Sequence, residues 1–367
     1  MKNLFLTLSI VLFLFSCKNN DNKNLTTSNL PVVNHSAKSN DLNKLPVYDH
    51  IVIVIEENKG YDDIVNNSNA PYINNILKKE GASFTKIYAE EHYSEGNYFW
   101  LFSGSNQNVG FFDKIPNYKT PNYPFNTPNL GSELIDKKLS FKGFSEGLPK
   151  IGDTINGKFE LIGKDSVKVY ARKHVPWISF SNVPNGNTYE TSSNLRFKDF
   201  PKDSSKFKNL PTVSIIVPNQ QNDMHNGPLK ESIPKGDNWL KTNIDSYYQW
   251  AKTHNSLLIV TFDENRDVTN YLGLTNPMVS PDAITTTGVA KDLYRDIENK
   301  IFTVFAGAHI KQGEYEERAG ITHVNILRTI ESMYGLSHAG KQQPNAVGKG
   351  ITDNYIITDV FKTNKKS

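Results

Sequence analysis

The sequence predicts an α/β protein, a three-layer α/β/α sandwich around a mostly parallel sheet, and three observations predict it. Two apolar runs, "HIVIVIEEN" and "HNSLLIVTFDEN", are continuous and rich in branched residues, the mark of strands covered on both faces. Between them "WLKTNIDSYYQWAKTH" places Leu240, Ile244, Tyr247, Tyr248 and Trp250 at largely helical intervals, giving a strand, helix, strand order. Both apolar runs stop abruptly on acids, Glu56 and Glu57 in one and Asp263 and Glu264 in the other. The carboxyl edge of a parallel sheet is where ligands bind, so paired acids there point to a metal or acid/base site.

The remaining elements follow in chain order. At the N-terminus Lys2 and Asn3 precede "LFLTLSIVLFLFS" and then Cys17, the chain's one cysteine. The stretch is short for a membrane span, and "LFSC" resembles a lipobox, so residues 1–17 are expected to be a lipoprotein signal that exports the chain. A lipidated Cys17 would then anchor it to the bacterial cell envelope. Residues 18–45 are rich in Asn, Lys, Ser and Asp without an aromatic residue, and read as a disordered tether, with His35 solvated in it. Residues 46–367 have the length and texture of a single domain.

Within that domain "APYINNILKKEG" is expected to be helical and to stop at Gly81. Around 110–194 the pattern dissolves into Pro, Asn, Gly and aromatic residues, an irregular insertion. There "TPNLGSELIDKKLSFKGFSEG" reads as one helix and a short strand, and "GDTINGKFELIGKDSVKVY" as a hairpin lying over the mouth of a site. "TVSIIVPN" and "IFTVFAGAHI" are further strands, and "HVNILRTIESMYG" a helix with Ile326, Leu327, Ile330 and Met333 on one face. A formal charge of +3, much of it in the tether and in "FKTNKKS", leaves no basic stripe and argues against nucleic acid as a partner. A single cysteine excludes intrachain disulfides.

Polar residues collect after the strand ends: Glu57 and Asn58, Asp223 and His225, Asp263 and Glu264, then Thr322 and His323 before a helix. A further cluster, "EEHYSEGNYFWLFSGS", joins His92, Ser94 and Asn97 to an apolar run expected to be helical from about Asn97. Ser94 at that helix's N-terminus reads either as an N-cap or as a nucleophile suited to accept a phosphate group.

Six blocks, "VIEENKGYDDI", "HYSEGNYFWLFSGS", "YARKHVPW", "VPNQQNDMHNG", "LLIVTFDEN" and "THVNILRTIESMYGL", resemble in that order the bacterial and fungal phosphoesterase family of acid phosphatases and phosphatidylcholine-type phospholipases C. That family lies within the alkaline phosphatase superfamily, and the resemblance spans residues 50–336. It implies a divalent metal ion held by Glu57, Asn58, Asp263 and Glu264, with Ser94 both ligand and nucleophile. It further implies that Asn97 donates to a phosphoryl oxygen, and that Asp223, His225 and His323 hold an oxygen or assist the leaving group. Lys173 and His174 match the "K-H-x-P" block and, with His92, would touch substrate. Tyr93 and Gly96 stand where the family usually has prolines.

Such chemistry needs these residue types. A cation favours ionisation of the serine and neutralises the phosphoryl oxygens, and histidines move protons to the leaving group and from water. Oxygen ligands suit a hard cation, histidines admit zinc, and the metal's identity stays open. The expected activity is hydrolysis of a phosphate ester, with a phosphomonoesterase of acid-phosphatase type ahead of a diesterase or phospholipase C. A surface lipoprotein that only binds a phosphorylated ligand is the other class. Acyl transfer is disfavoured, since no G-x-S-x-G elbow is present.

Overall fold

The computed structural model describes residues 32–34, 45–91, 94–107, 109, 113, 115–266, 299–316, 320–340 and 355–362. The expected signal segment, residues 1–17, and most of the expected tether lie outside these residues. In chain order the elements are β1 (Val32–Asn34), β2 (His50–Glu56), α1 (Tyr61–Ile64), α2 (Lys78–Glu80), β3 (Ala82–Phe84), β4 (Ile87–Tyr88), α3 (Ser94–Ser103), α4 (Leu130–Asp136) and β5 (Phe141–Ser145). There follow β6 (Gly157–Ile162), β7 (Asp165–Ala171), β8 (Asn194–Arg196), β9 (Val213–Val217), α5 (Leu229–Ala251), β10 (Ser256–Phe262), β11 (Thr303–Gly307), β12 (Gly313–Glu316), β13 (Ile321–Thr322) and α6 (His323–Tyr334).

Nine strands form the central sheet in the order β1-β12-β3-β11-β10-β2-β9-β5-β8. All pairings are parallel except those of β11, which runs antiparallel to both β10 and β3. The α/β fold with a mostly parallel sheet is as the strand patterns require. Every residue of β2 and of β10 is buried, so both faces of the sheet are covered, by α5 against β10 and β11 and by α4 against β5 among others. Each branched side chain of β2, Ile51 to Ile55, contributes about 1.5–3 kcal/mol by leaving water. That apolar centre is what lets the strand ends carry buried charge.

Some details differ from the sequence reading. Val32–Asn34, inside the run expected to be a tether, pairs in parallel with β12 as an outer strand; an edge offers unpaired backbone groups that any extended segment can use. The helix expected over "APYINNILKKEG" begins as a wide π-type turn, Ile73–Leu77, before α2. Helix α3 starts at Ser94 itself, three residues before the expected position. The insertion does contain the expected helix and strand, α4 and β5, and its hairpin is β6 with β7, antiparallel and closed by Gly163 at a φ of +66°. Helix α6 is capped at its start by Thr322, which accepts from Val324 N, and ends at Gly335 in the left-handed region.

One close approach links the core to the functional residues. The indole of Trp177 lies flat on Gly143 of β5, where a Cβ would stand 2.1 Å from Trp177 Cζ2, and its Nε1 donates to Asn194 Oδ1 at 3.2 Å. This seats the segment Arg172–Trp177 on the sheet. Gly143→Ala is therefore expected to cost about 1–3 kcal/mol of stability by overpacking a wholly buried contact, measured by denaturant unfolding. An unchanged midpoint would show that the indole can move aside.

Candidate active site

Strand register assembles the site. Phe262 of β10 stands opposite Glu56 of β2, and Asp263 N donates to the Glu56 carbonyl at 3.0 Å, so the residues just beyond each strand, Glu57 and Asp263, come side by side. From the other flank of β2, the loop after β9 returns until the Asp223 carbonyl accepts from Glu57 N at 2.7 Å. Three adjacent parallel strands thus deliver Glu57, Asp223, Asp263 and Glu264 to one place, all buried. Asn58 enters through its backbone, whose N–H donates to Asp263 Oδ1 at 2.9 Å, while its amide oxygen accepts from Lys59 Nζ at 3.4 Å.

Ser94 lies at the centre. Its hydroxyl is 3.1 Å from Glu57 Oε2 and 3.4 Å from Glu264 Oε1, and accepts from Lys173 Nζ at 3.3 Å. As the first residue of α3 it also meets the positive end of a ten-residue, wholly buried helix. Lys173 is held charged: burial works against the ammonium, but the carboxylates of Glu57 and Asp113 outweigh it, the latter at 2.7 Å. Tyr98, one turn along α3, donates to Glu57 Oε1 at 2.7 Å and stacks on the His174 ring at 4.8 Å.

His174 corrects the sequence reading. Expected to touch substrate, it is fully buried with Nε2 3.1 Å from Glu57 Oε1, and Glu57, His174 and Asp223 each offer a donor atom within 4.8 Å of the others. His174 Nε2 and Asp223 Oδ2 are buried with no hydrogen-bond partner among the described residues. Burial, then the charge of Lys173, pushes the His174 imidazole well below its ordinary value, leaving it neutral and fit to ligate. A neutral imidazole nitrogen and carboxylate oxygens gathered within 4.8 Å, two of them buried without a hydrogen-bond partner among the described residues, suit the ligands of a divalent cation.

Two further expectations meet a different geometry. His323 has both ring nitrogens committed, Nδ1 donating to Glu90 Oε2 and Nε2 to the Phe262 carbonyl, each at 2.8 Å. Burial works against its charge, yet Glu90 raises its proton affinity overall; with both nitrogens facing acceptors, the ring fixes the strand end before Asp263 and turns no free nitrogen toward a leaving group. Asn97 is likewise spent on backbone: its Oδ1 accepts from Glu90 N and Glu91 N, both at 3.1 Å, and its Nδ2 donates to Glu91 O at 2.6 Å. It shapes the loop before Ser94 and does not face a phosphoryl oxygen. His225 is half-buried beside Asp223 and donates Nδ1–H to Asn226 Oδ1 at 2.9 Å, so Nε2 carries the lone pair. His92 lies outside the described residues. Glu56, the other acid at the end of β2, is fully buried and pushed well above the usual carboxylate range by burial.

Sequence reasoning missed Tyr98, Asp113 and the role of Glu90. Tyr98 sits four residues after Ser94, on the same helix face, a signal that was available; Asp113 in irregular chain gave none.

Burial first, then mutual repulsion, raises Asp223, Asp263 and Glu264 well above the usual range. Without a cation the folded protein keeps protons that the unfolded chain releases above about pH 4, so stability falls as pH rises from there toward the raised values. Chelator-treated protein is expected to melt at a lower temperature at about pH 8 than at about pH 5, and a divalent cation to raise the melting temperature more at the higher pH. Calorimetry with and without added cation checks this, and equal cation effects at both pH values would contradict it.

The sequence profile of the Phosphoesterase family matches residues 65–337. The chain is 40% identical over 299 residues to the phosphatidylinositol-3-phosphatase of Mycobacterium tuberculosis, spanning 81% of this chain and 80% of that protein. It is 25% identical over 316 residues to a probable acid phosphatase of Kluyveromyces lactis, 84% of this chain and 63% of the other. A solved structure of an alkaline phosphatase superfamily protein from Vibrio parahaemolyticus has the same fold, with a TM-score of 0.51 at 12% identity over 80% of this chain and 69% of that one. The chain belongs to the phosphoesterase family, and it is a hydrolase of phosphate ester bonds.

Proposed function

We propose that this hydrolase is a metal-dependent phosphomonoesterase in which Ser94 attacks phosphorus and carries the phosphoryl group transiently. The observation that carries the reading is the placement of the Ser94 hydroxyl among Glu57, Glu264 and Lys173 at the start of α3. The relatives' names, a lipid phosphatase and an acid phosphatase, support a monoester substrate over the diester of a phospholipase C. A protein that only bound phosphate would have no use for a buried serine among carboxylates.

The residues fit a divalent cation, with Glu57, His174 and Asp223 to hold it and Asp263 and Glu264 beside them. Such an ion supplies Lewis acidity, lowering the serine's proton affinity and neutralising phosphoryl oxygens. The chain does the rest. Glu57 and Glu264 accept from the Ser94 hydroxyl and can draw off its proton. Ser94 Oγ forms a bond to phosphorus as the ester P–O bond breaks, and the departing oxygen takes a proton from solvent or the site's acids. Lys173 and the α3 amides face the charge that builds on the phosphoryl oxygens. In the second half His225 Nε2 can take a proton from the water that cleaves the Ser94–phosphorus bond.

Ser94→Ala is expected to lower kcat by at least about a thousandfold, the scale of losing a nucleophile, while phosphate binding persists. Acid quenching of the unaltered protein during turnover should leave phosphate on the peptide containing "HYSEGNY". Substantial activity in the alanine variant, or label on a histidine, would refute the serine route. Export and anchoring through lipidated Cys17 belong to the same proposal: Cys17→Ser should release the chain from membranes at unchanged turnover, and unchanged retention would count against the anchor.

A further inference from the structure

Large apolar side chains are exposed at few described positions, and three of them, Phe159, Leu161 and Ile162, fall within four residues at 58%, 78% and 50% exposure. They occupy the far end of β6, in a sheet of two strands that pairs with no third among the described residues. A two-stranded ribbon has no core of its own, so apolar residues at its tip do nothing for its folding. Clustered exposed apolar groups of this kind mark an interaction surface.

Where the ribbon leads matters as much. β7 has seven residues, which at about 3.3 Å each sets the tip roughly 20 Å from its root. The root continues directly into Arg172, Lys173 and His174, the segment that enters the active site. One flank of the hairpin, Ser166 to Lys168, faces Gln221 and Asn226 across a cavity of about 480 Å³, and the loop between those two residues carries Asp223 and His225. The tip therefore stands on the same structural unit as the catalytic groups.

The surroundings carry more lysine than acid: Lys164 is exposed in the turn next to Asp165, which stands opposite Ile162, and Lys168 lies over the Phe159 ring at 5.5 Å. At the root of β6 a second cavity, about 440 Å³, is lined by Lys158, Arg196, Lys198 and Lys202 against one carboxylate, Glu146. Arg196 and Lys158 have local partners in Asp199 and Glu160, which leaves Lys198 and Lys202 exposed to meet an external anion. An apolar tip with Lys164 and Lys168 beside it, and a basic face set back at the root, matches the layering of an anionic bilayer, with acyl chains beneath acidic headgroups.

We propose that the β6–β7 hairpin docks the enzyme on an anionic lipid surface, inserting Phe159, Leu161 and Ile162 below the headgroups and presenting membrane-borne phosphomonoesters to Ser94. This rests on the phosphomonoesterase reading for its substrate, but the docking itself does not.

The test separates the two. In full-length protein carrying Cys17→Ser, Leu161→Cys supplies a single thiol for an environment-sensitive fluorophore, so the signal reports the hairpin and not the N-terminus. On vesicles of phosphatidylcholine with phosphatidylglycerol the emission is expected to shift to the blue and to be quenched by brominated acyl chains, with a weaker response on phosphatidylcholine alone. In parallel, Phe159→Asp with Leu161→Asp should leave hydrolysis of p-nitrophenyl phosphate within about twofold, and lower hydrolysis of a phosphoinositide monophosphate in those vesicles by about tenfold or more. A probe that keeps its aqueous emission on all vesicles overturns the proposal. So does one that shifts only as protein concentration rises without lipid, the signature of a second copy on the patch, and so does an equal loss on soluble and vesicle substrates. If the unaltered protein hydrolyses neither substrate while the probe still inserts, the phosphomonoesterase reading fails and the docking stands.

Discussion

Four carboxylates buried at neighbouring strand ends set the terms for the rest of this molecule. Donor atoms of Glu57 and Asp223 lie within 4.8 Å of each other and of His174, and two like charges at such a separation repel by roughly 3–4 kcal/mol at the effective dielectric of a protein. Lys59 and Lys173 are the cations in range, but Lys173 is shared with Asp113. Two lysines cannot balance four acids, so the group either holds protons or holds a divalent cation. The apolar strands β2, β9 and β10 keep the cluster in place because they are buried along their whole length, and a shift of any one would break close packing on both faces.

Around that cluster, buried polar groups act on position more than on chemistry. The ring of His323 ties Glu90 to the Phe262 carbonyl, and Glu90 Oε1 also accepts from Val324 N at the start of α6. One carboxylate therefore joins the loop before Ser94, the end of β10 and the next helix. Removing one member of such a buried pair strands the other, typically at a cost of about 3–5 kcal/mol. A histidine of this kind can be as necessary to an enzyme as a catalytic one without exchanging a proton during turnover.

Much of this was legible in the sequence, for a definite reason. Continuous branched runs force double-sided burial, and residues just past parallel strands must share an edge, so Glu57, Asp223, Asp263 and Glu264 could be gathered from spacing alone. Spacing could not give side-chain direction in irregular chain. His174 ends a one-turn 3-10 segment, where no period tells a ligand from a substrate contact, and the segment's seat on the sheet comes from Trp177 packing over Gly143. His323 and Asn97 carried the right residue types beside the site, and only the hydrogen-bond partners reveal that both are spent on backbone or on Glu90. Strand β1 lies in a run too polar to signal a core, since an edge strand needs backbone partners more than apolar ones.

The missing prolines beside Ser94 make the same point about local patterns. With Tyr93 and Gly96 in place of stiff residues, the turn into α3 reads as loose. The structure stiffens it by other means. A Cβ at Gly96 would lie 2.6 Å from Glu91 Cδ, so the carboxylate sits directly against the helix backbone. There it accepts from Trp100 Nε1 and from Asn106 Nδ2, the latter at 2.8 Å. Asn97 meanwhile pins the backbone of Glu90 and Glu91 from within the helix. Glycine here admits a side chain from the loop into the space a proline ring would fill. The support beside Ser94 thus comes from buried hydrogen bonds that join Glu90 and Glu91 to Asn97, Trp100 and Asn106, so that side-chain packing stands in for the expected prolines.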